Sequence, residues 1–232
     1  PVSILNSWAA RMSFMRNSVK EVLSFFDTSR ELKRYASGVK AVLGDEFGLQ
    51  LLCHYFRHQG KQAEIVSRRA STGGRAGHRL DGWLQVGKQP RAVLYQGELK
   101  MWSATSLRGT TLRLDPVRRE LRAHKRMTWE KYWTGTTFES KQLKKVLCPM
   151  KPPSSARSVR ALACLWDPMH PKGGDAPLFR VPLHRKRFSA VWVFSMSSYL
   201  RQLRRKEIEL HLPEVEDRLR WLRRIVHAGR VA

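Results

Sequence analysis

The sequence predicts an α/β protein in which a mixed β-sheet is flanked by helices. Three observations lead to this class. Apolar residues recur at helical spacing over a long stretch that ends near residue 58. Strand-like runs follow at 61–67, 78–86 and 91–102, with two more at 159–167 and 188–196. Helical patterns separate and close these runs, which is typical of a sheet covered by helices.

Two helices are predicted before the first strand. Residues 3–26 have an amphipathic pattern that indicates a helix. Thr28 or Ser29 fits the N-cap of a second helix, which runs to about residue 58 and stops before Gly60. Glu46 therefore lies within a largely apolar stripe at helical spacing. The stripe comprises Tyr35, Val39, Val42, Glu46, Leu49, Cys53 and Phe56.

The runs at 78–86 and 91–102 predict an antiparallel hairpin, because only "GKQP" at 87–90 separates them. A basic loop, "RRASTGGRAGHR" at 68–79, leads into this hairpin. Side chains of a strand alternate between its two faces. Each strand of the hairpin should therefore have one apolar face and one face that carries polar groups.

The second half of the chain predicts further regular elements. Asp115 fits the N-cap and Pro116 the first position of a basic helix. The segment "CPMKPPSSA" at 148–156 breaks regular structure, and "VRALACLWD" at 159–167 predicts a buried strand. A helix at 213–226 has acids in its first turn and arginines in its last, which suits the helix dipole.

Three regions are predicted along the chain, without a clear linker between them. Residues 1–29 form an N-terminal helical extension, residues 30–196 form the core, and residues 197–232 form a basic helical segment. The last region is expected to pack on the core.

Charge is the most unusual feature of the composition. Lys and Arg total 44 against 19 Asp and Glu, a formal net charge of +25. This excess favours a polyanionic partner, nucleic acid above all, because phosphate neutralisation drives non-specific binding. An anionic membrane surface and a merely solubilising charge are the alternatives. No segment resembles a signal peptide or a membrane span, so no membrane association is expected.

Cysteine usage bears on the compartment. Cys53, Cys148 and Cys164 are scattered and form no CxxC pair, so they fit neither a zinc cluster nor a disulfide scaffold. A reducing cytoplasm is therefore expected.

The predicted hairpin brings chemically active groups to one face. Glu98 and Lys100 share a face of the second strand, and pairing places Asp81 within about 4.5–8 Å of Glu98. Two such carboxylates repel unless a cation lies between them, and oxygen ligands favour Mg²⁺ or Mn²⁺. The Leu99 carbonyl fits a further metal ligand. Lys100 is placed to orient a water or stabilise charge on a phosphate, which suits phosphodiester hydrolysis.

Asp81 followed by Glu98-Leu99-Lys100 resembles the PD-(D/E)XK, or restriction-endonuclease-like, nuclease superfamily. The resemblance covers residues 30–167 and implies an α-β-β-β-α-β core. It implies that Asp81 and Glu98 bind Mg²⁺, that Lys100 is catalytic and that DNA is the substrate. Glu46 matches the helical glutamate with which many members contact the metal; a salt bridge to a nearby base is its alternative role. Leu80 stands where the motif's name has proline.

Several arginines are candidate phosphate contacts, with a solvated basic face as the alternative. They flank the hairpin or follow it, and comprise Arg68, Arg69, Arg75, Arg79, Arg108, Arg118, Arg119 and Arg122. Cutting both strands of a duplex often needs two active sites, which favours a homodimer or a partner protein. A basic nucleic-acid-binding protein without catalysis is the competing function.

Overall fold

The computed structural model describes residues 14–20, 22–23, 32–68, 80–103, 145–148, 150–168, 175–183, 188–203 and 207–228. The chain divides into two compact units. The larger unit contains residues 52–199, and the smaller one combines residues 1–51 with residues 200–232.

A six-stranded mixed sheet forms the centre of the larger unit. Its strands, in the spatial order β2-β3-β4-β5-β7-β6, are β2 (Ala63–Arg68), β3 (Gly82–Val86), β4 (Val93–Ser103), β5 (Ser158–Asp167), β7 (Ala190–Ser195) and β6 (Leu178–Pro182). β3 pairs antiparallel with both β2 and β4. β5 pairs parallel with both β4 and β7. Edge strand β6 is antiparallel to β7. The predicted α/β class with a mixed sheet flanked by helices is thus confirmed.

The predicted hairpin is present as β3 and β4. Gly82 lies opposite Gly97 and Val86 opposite Val93, so the turn begins just after Val86. Gly87 follows with φ of +87°, a left-handed conformation that glycine adopts without a steric penalty. Residues 87–92 thus connect the two strands, and the connection starts at this glycine. The sequence located this hairpin because the alternation and the turn residues agree.

Both faces of the sheet are buried, including the face that carries the polar groups Gln96 and Glu98. The face that contains Gln96 is covered by a 3₁₀ turn (Lys145–Leu147). Gln96 donates to the carbonyl oxygens of Val146 and, at 2.9 Å, Cys148. The same face carries a cluster of buried apolar side chains, comprising Leu80, Trp83, Leu94, Val146, Leu147, Met150, Ala161, Ala163, Leu165, Phe179, Val181, Val191 and Val193. Parallel strands are usually covered on both faces, and this sheet follows that rule.

The opposite face packs on the end of helix α1 (Leu32–His58). The rings of Phe56 and Tyr95 lie 5.6 Å apart between centroids. The helix ends as predicted at Gly60, which has φ of +70°. Lys61 N–H donates to the Phe56 carbonyl at 3.0 Å and Gly60 N–H to the Arg57 carbonyl at 2.9 Å. This Schellman arrangement satisfies two carbonyls at the helix end.

The smaller unit contains a two-stranded antiparallel ladder of β1 (Phe14–Ser18) and β8 (Glu207–His211). The helix predicted over 3–26 is therefore wrong at 14–18, where pairing with β8 overrides the local pattern. In β8, Ile208 and Leu210 are buried and alternate with exposed residues. Helix α3 (Pro213–Ala228) follows and confirms the helix predicted at 213–226.

The remaining helical segments are described last. A short helix α2 (Met196–Gln202) follows β7, and Ser195 Oγ caps it by accepting the Ser198 N–H at 3.2 Å. The basic helix predicted from Asp115 lies outside the described residues. Within the part of the chain that the structure describes, no helix has the length and apolar character needed to span a bilayer.

Candidate active site

Asp81 joins the two strands of the hairpin. It stands directly before β3, and its backbone N–H donates to the Gly97 carbonyl at 3.1 Å. Its carboxylate atom Oδ2 accepts the backbone N–H of Leu99 at 2.6 Å. A main-chain donor therefore fixes the carboxylate beside β4, next to Glu98 and Lys100, as the predicted pairing requires.

Lys100 brings the acidic groups together. Its Nζ atom lies 2.6 Å from Glu98 Oε1 and 3.9 Å from Asp81 Oδ2. The same ammonium group donates to the Leu99 carbonyl at 3.0 Å. Oxygens from three residues thus converge on one cationic centre. The structure brings together Asp81, Glu98, Leu99 and Lys100, all of which the sequence indicated.

The site is largely withdrawn from water. The side chain of Glu98 is only 1% exposed, whereas those of Asp81 and Lys100 are 18% and 21% exposed. On β5, Ala163 lies opposite Glu98 and Leu165 opposite Lys100, so this neighbouring strand contributes apolar side chains. Such surroundings strengthen electrostatic interactions and make an uncompensated charge costly.

Burial and the neighbouring Glu98 raise the pKa of Asp81 to about 6. Three groups act in the opposite direction and lower this pKa: the Lys100 ammonium, the Leu99 N–H and, with the smallest effect, the charge of Lys145. The net rise shows that desolvation and carboxylate repulsion outweigh the stabilising partners. A carboxyl group that titrates close to neutral pH, in a cluster of charges, is typical of a functional site.

Lys145 is a residue near the site that the sequence did not indicate. It begins the 3₁₀ turn that Gln96 holds against the sheet. Only the folded structure relates Lys145 to Asp81, since 64 positions separate them in the sequence. The adjacent lysines in "KKVLC" carry no periodic signal that would connect them to the hairpin. Gln96 lies on the same face of β4 as Glu98, and its amide positions this turn.

The backbone of β4 changes its pairing just beyond Lys100. The register with β5 shifts between Lys100 and Ser103, where Ser103 pairs with Asp167. Irregularities of this kind bend a strand locally and are frequent beside active sites, where they redirect side chains. The shift therefore ends the regular ladder immediately after the candidate site.

Glu46 belongs to the smaller unit and is buried there. Its Oε2 atom accepts the backbone N–H of Val215 at 2.9 Å, in the first turn of α3. A carboxylate at this position satisfies a helix N–H and interacts favourably with the helix dipole. Glu46 thus has a defined structural partner, and its metal-binding role stays a prediction.

The arginines proposed as nucleic-acid contacts are mostly outside the described residues. Arg68 is the last residue of β2, and its backbone lies opposite Gly82. The other seven lie in segments that the structure does not describe: Arg69, Arg75, Arg79, Arg108, Arg118, Arg119 and Arg122. Their contribution to binding stays a prediction.

The donor atoms of the site fit a hard divalent cation. Two carboxylates and the Leu99 carbonyl offer only oxygen, the ligand type that Mg²⁺ and Mn²⁺ prefer. The Lys100 ammonium, a cation, already lies among these oxygens, so the cluster is arranged to surround positive charge. Among the described residues, no group of three or more His, Cys, Asp or Glu side chains could hold a metal. A metal here would therefore need the carbonyl, water or substrate to complete its ligands.

Comparisons with protein-family models, with curated proteins and with solved structures find no match to this chain.

Proposed function

We propose that this protein is a nuclease that hydrolyses phosphodiester bonds in DNA with Mg²⁺ or Mn²⁺. The observation that carries the proposal is the convergence of Asp81, Glu98 and the Leu99 carbonyl on Lys100 Nζ. This arrangement combines oxygen ligands for a metal with a cation for a phosphate group. The formal net charge of +25 supports a polyanionic substrate.

Each residue of the cluster has a distinct part in the proposed reaction. Asp81 and Glu98, with the Leu99 carbonyl, would hold the metal, and the Leu99 N–H keeps the Asp81 carboxylate in place. The metal, when bound, polarises the phosphate and lowers the pKa of the attacking water. Lys100 is partly exposed, so its ammonium reaches a substrate phosphate and stabilises the charge that develops on it. The apolar neighbours on β5 strengthen these interactions.

The proposed fold family is the restriction-endonuclease-like one. Helix α1 precedes the antiparallel strands β2, β3 and β4, and β5 then adds parallel to β4. A parallel pair needs a crossover connection, and the chain between β4 and β5 is long enough to supply one. The described helix and four strands follow the order of the α-β-β-β-α-β core that the motif implies, which supports the proposal; the connection that would hold the second helix lies outside the described residues. A homodimer or a partner protein would supply the second active site for a double-strand cut.

A non-catalytic nucleic-acid-binding protein is the alternative function. The observation in its favour is the 2.6 Å ion pair between Lys100 and Glu98. This contact neutralises the buried carboxylate without a metal, as a structural ion pair would. The two functions therefore differ in whether a divalent metal binds at Asp81 and Glu98.

The deciding experiment measures cleavage and metal binding together. Purified protein is incubated with plasmid, linear duplex and single-stranded DNA, and with RNA, in Mg²⁺, Mn²⁺ or EDTA. Asp81→Asn and Glu98→Gln keep the size of each side chain but remove its charge. Calorimetry with Mn²⁺ measures the metal affinity of the same proteins. Glu64→Gln, which changes an exposed acid on β2, is the matched control.

We expect metal-dependent DNA cleavage that both site variants abolish and the control retains. Metal affinity should fall with activity, while binding of DNA in EDTA persists. Binding of DNA by wild type without cleavage or Mn²⁺ binding would establish the non-catalytic alternative instead. Cleavage of RNA alone would retain the site and correct the substrate.

A further inference from the structure

A second concave site lies at the other end of β4, within the larger unit. It is a cavity of about 550 Å³ whose lining includes the aromatic side chains of Phe56 and Tyr95. Lys61, Lys88 and Arg160 also line it. Tyr95 and Glu98 differ by an odd number of positions along β4, so they project from opposite faces of the sheet. The cavity is therefore separate from the carboxylate cluster.

Arg160 is held in a fixed orientation at this cavity. Its Nη1 atom donates to the Tyr95 hydroxyl at 3.1 Å. The guanidinium carbon lies 4.9 Å from the ring centroid of Trp192 and 5.7 Å from that of Tyr95. A guanidinium has five N–H donors, so a single bond to Tyr95 leaves most of its donor capacity for a ligand. Fixing the group in advance reduces the entropy that ligand binding would cost.

The other two cations are exposed, and carboxylates do not line this cavity within the described residues. Lys61 lies 6.0 Å from the ring centroid of Phe56, while Lys88 also borders a neighbouring cavity. Glu64 lines that neighbouring cavity, where it accepts a hydrogen bond from Gln85 at 3.0 Å. The three cations thus act together in a concave space, where their field on an anion is strongest.

The end of α1 borders the cavity, and the helix dipole gives this end a partial negative charge that the three cations must outweigh. The carbonyls of Phe56 and Arg57, at the end of α1, accept N–H groups of the terminal turn. Their negative ends are therefore engaged within that turn. Gly60 and Gly87, which both have positive φ angles, also line the cavity. A Cβ atom at Gly60 would meet nothing within 4 Å. The approach on this side is accordingly open.

We propose that this cavity binds the phosphate group of a nucleotide, either free or within a nucleic-acid strand. The planar Arg160 fork matches phosphate oxygens, and Lys61 and Lys88 add two point charges. The apolar groups beside them suit contact with the sugar or base. The choice of nucleic acid as the source of phosphate rests on the proposed function. Binding at this cavity does not require that function, because no metal or cleavage is involved.

The test measures equilibrium binding in EDTA, so that cleavage cannot contribute. The probes are inorganic phosphate, dTMP and a ten-nucleotide single strand of thymidylate, each at low salt. Lys61→Glu with Lys88→Glu reverses the two exposed charges. The matched control is Lys20→Glu with Lys151→Glu, which changes two other exposed lysines and the net charge equally. Arg160→Lys tests whether the guanidinium geometry matters while the charge is kept.

We expect the Lys61/Lys88 variant to weaken binding on the order of tenfold or more, and the control to weaken it by a much smaller factor. Arg160→Lys should lie between them. Loss of dTMP binding identifies a site for free nucleotides, whereas loss confined to the ten-nucleotide probe identifies a strand-binding site. Equal affinities in the cavity variant and its control would overturn the proposal, as would wild type that binds none of the probes. Failure here leaves the nuclease proposal intact, because that proposal is tested separately by metal binding and cleavage with the Asp81 and Glu98 variants.

Discussion

The two ends of strand β4 differ in the charge and the exposure of the side chains around them. Toward its end, Glu98 and Lys100 join Asp81 on a face that a polypeptide turn and apolar side chains cover. Near its beginning, Tyr95 on the other face orients Arg160 beside an open cavity. One end of the strand therefore carries a compact cluster of acids with a base, and the other end borders a cavity whose described lining contains cations and no carboxylate.

Because of this difference, one end of β4 is suited to bind a cation and the other end an anion. At the cluster, carboxylate and carbonyl oxygens of the described residues surround a cation, an arrangement that suits positive charge. At the cavity the balance is reversed, and the cations attract an anion. The positive charge of the chain is therefore not evenly distributed between these two regions. Substitutions at the two ends should therefore have different consequences.

The largest effect is expected from Lys100→Met, which removes the cation of the cluster. If the protein is a nuclease, turnover should fall by about 10²–10⁴-fold, the range for loss of a positioned catalytic group. Lys61→Met at the other end should leave turnover unchanged. Initial cleavage rates at saturating DNA measure both. A Lys100→Met protein that cuts within a few-fold of wild type would remove Lys100 from the mechanism.

Loss of folding must be separated from loss of chemistry in this experiment. Lys100→Met leaves Glu98 buried beside Asp81 without the ammonium that lies 2.6 Å away, which destabilises the fold by about 3 kcal/mol. Combining it with Glu98→Gln removes both charges and should restore much of that stability. Urea unfolding measures the recovery, whereas activity should stay absent.

The next effect concerns the pH dependence of stability at Asp81. The folded state raises the pKa of this carboxyl from its ordinary value of 3.8 to about 6, so the folded state binds the proton more tightly. Stability should therefore decrease as pH rises from about 4 to 6, by about 3 kcal/mol at most. Asp81→Asn should remove this part of the slope. Urea unfolding in EDTA at several pH values tests it, and identical slopes in both proteins would contradict it.

A smaller effect is expected from Gln96→Leu. The amide of Gln96 donates to the Val146 and Cys148 carbonyls, and the substitution leaves both without this donor. The cost should be about 2 kcal/mol, because a buried carbonyl that loses its partner is expensive. Gln85→Leu, at a half-buried position of β3 that borders the neighbouring cavity, should cost no more than about 0.5 kcal/mol. Similar unfolding midpoints for the two variants would refute the supporting role of Gln96.

The smallest effect is expected from Lys145→Ala. The charge of Lys145 lowers the pKa of Asp81, so its removal should move the Asp81 titration to slightly higher pH. Lys151→Ala, which alters an exposed lysine beyond the turn, is the control. Carboxyl NMR titration of Asp81 gives the direction of the shift. If the pKa of Asp81 fell in Lys145→Ala, or rose equally in the control, Lys145 would have no electrostatic effect specific to the site.

The hairpin and the cluster could be predicted because their signals are local. Alternation over β4 assigned Glu98 and Lys100 to one face, and the short turn at 87–90 placed Asp81 across from them. The limits of β5 and β7 were also predicted to within two residues of the observed ones. In each case the residues that define the element are neighbours in the sequence.

The remaining features depend on contacts between distant residues. Strand β1 was predicted as helix because its partner β8 lies almost 200 positions away. Strand β6 is short and ends in Pro182, which is acceptable at the edge of a sheet but obscures the strand pattern. The alternation of Glu207, Ile208, Glu209 and Leu210 was a signal for β8 that could have been used. Gln96 and Lys145 offered no such signal, since their roles arise only when the turn packs on the sheet.

Helix α1 has a consequence for any attempt to divide the protein. The boundary between the two compact units falls at residues 51 and 52, inside this continuous helix. A fragment beginning at residue 52 would retain only the last two turns, which are too short to remain helical alone. Those turns carry Phe56, whose ring packs on Tyr95 of the sheet. A cut at this boundary would therefore divide α1, so recombinant fragments should keep the helix whole.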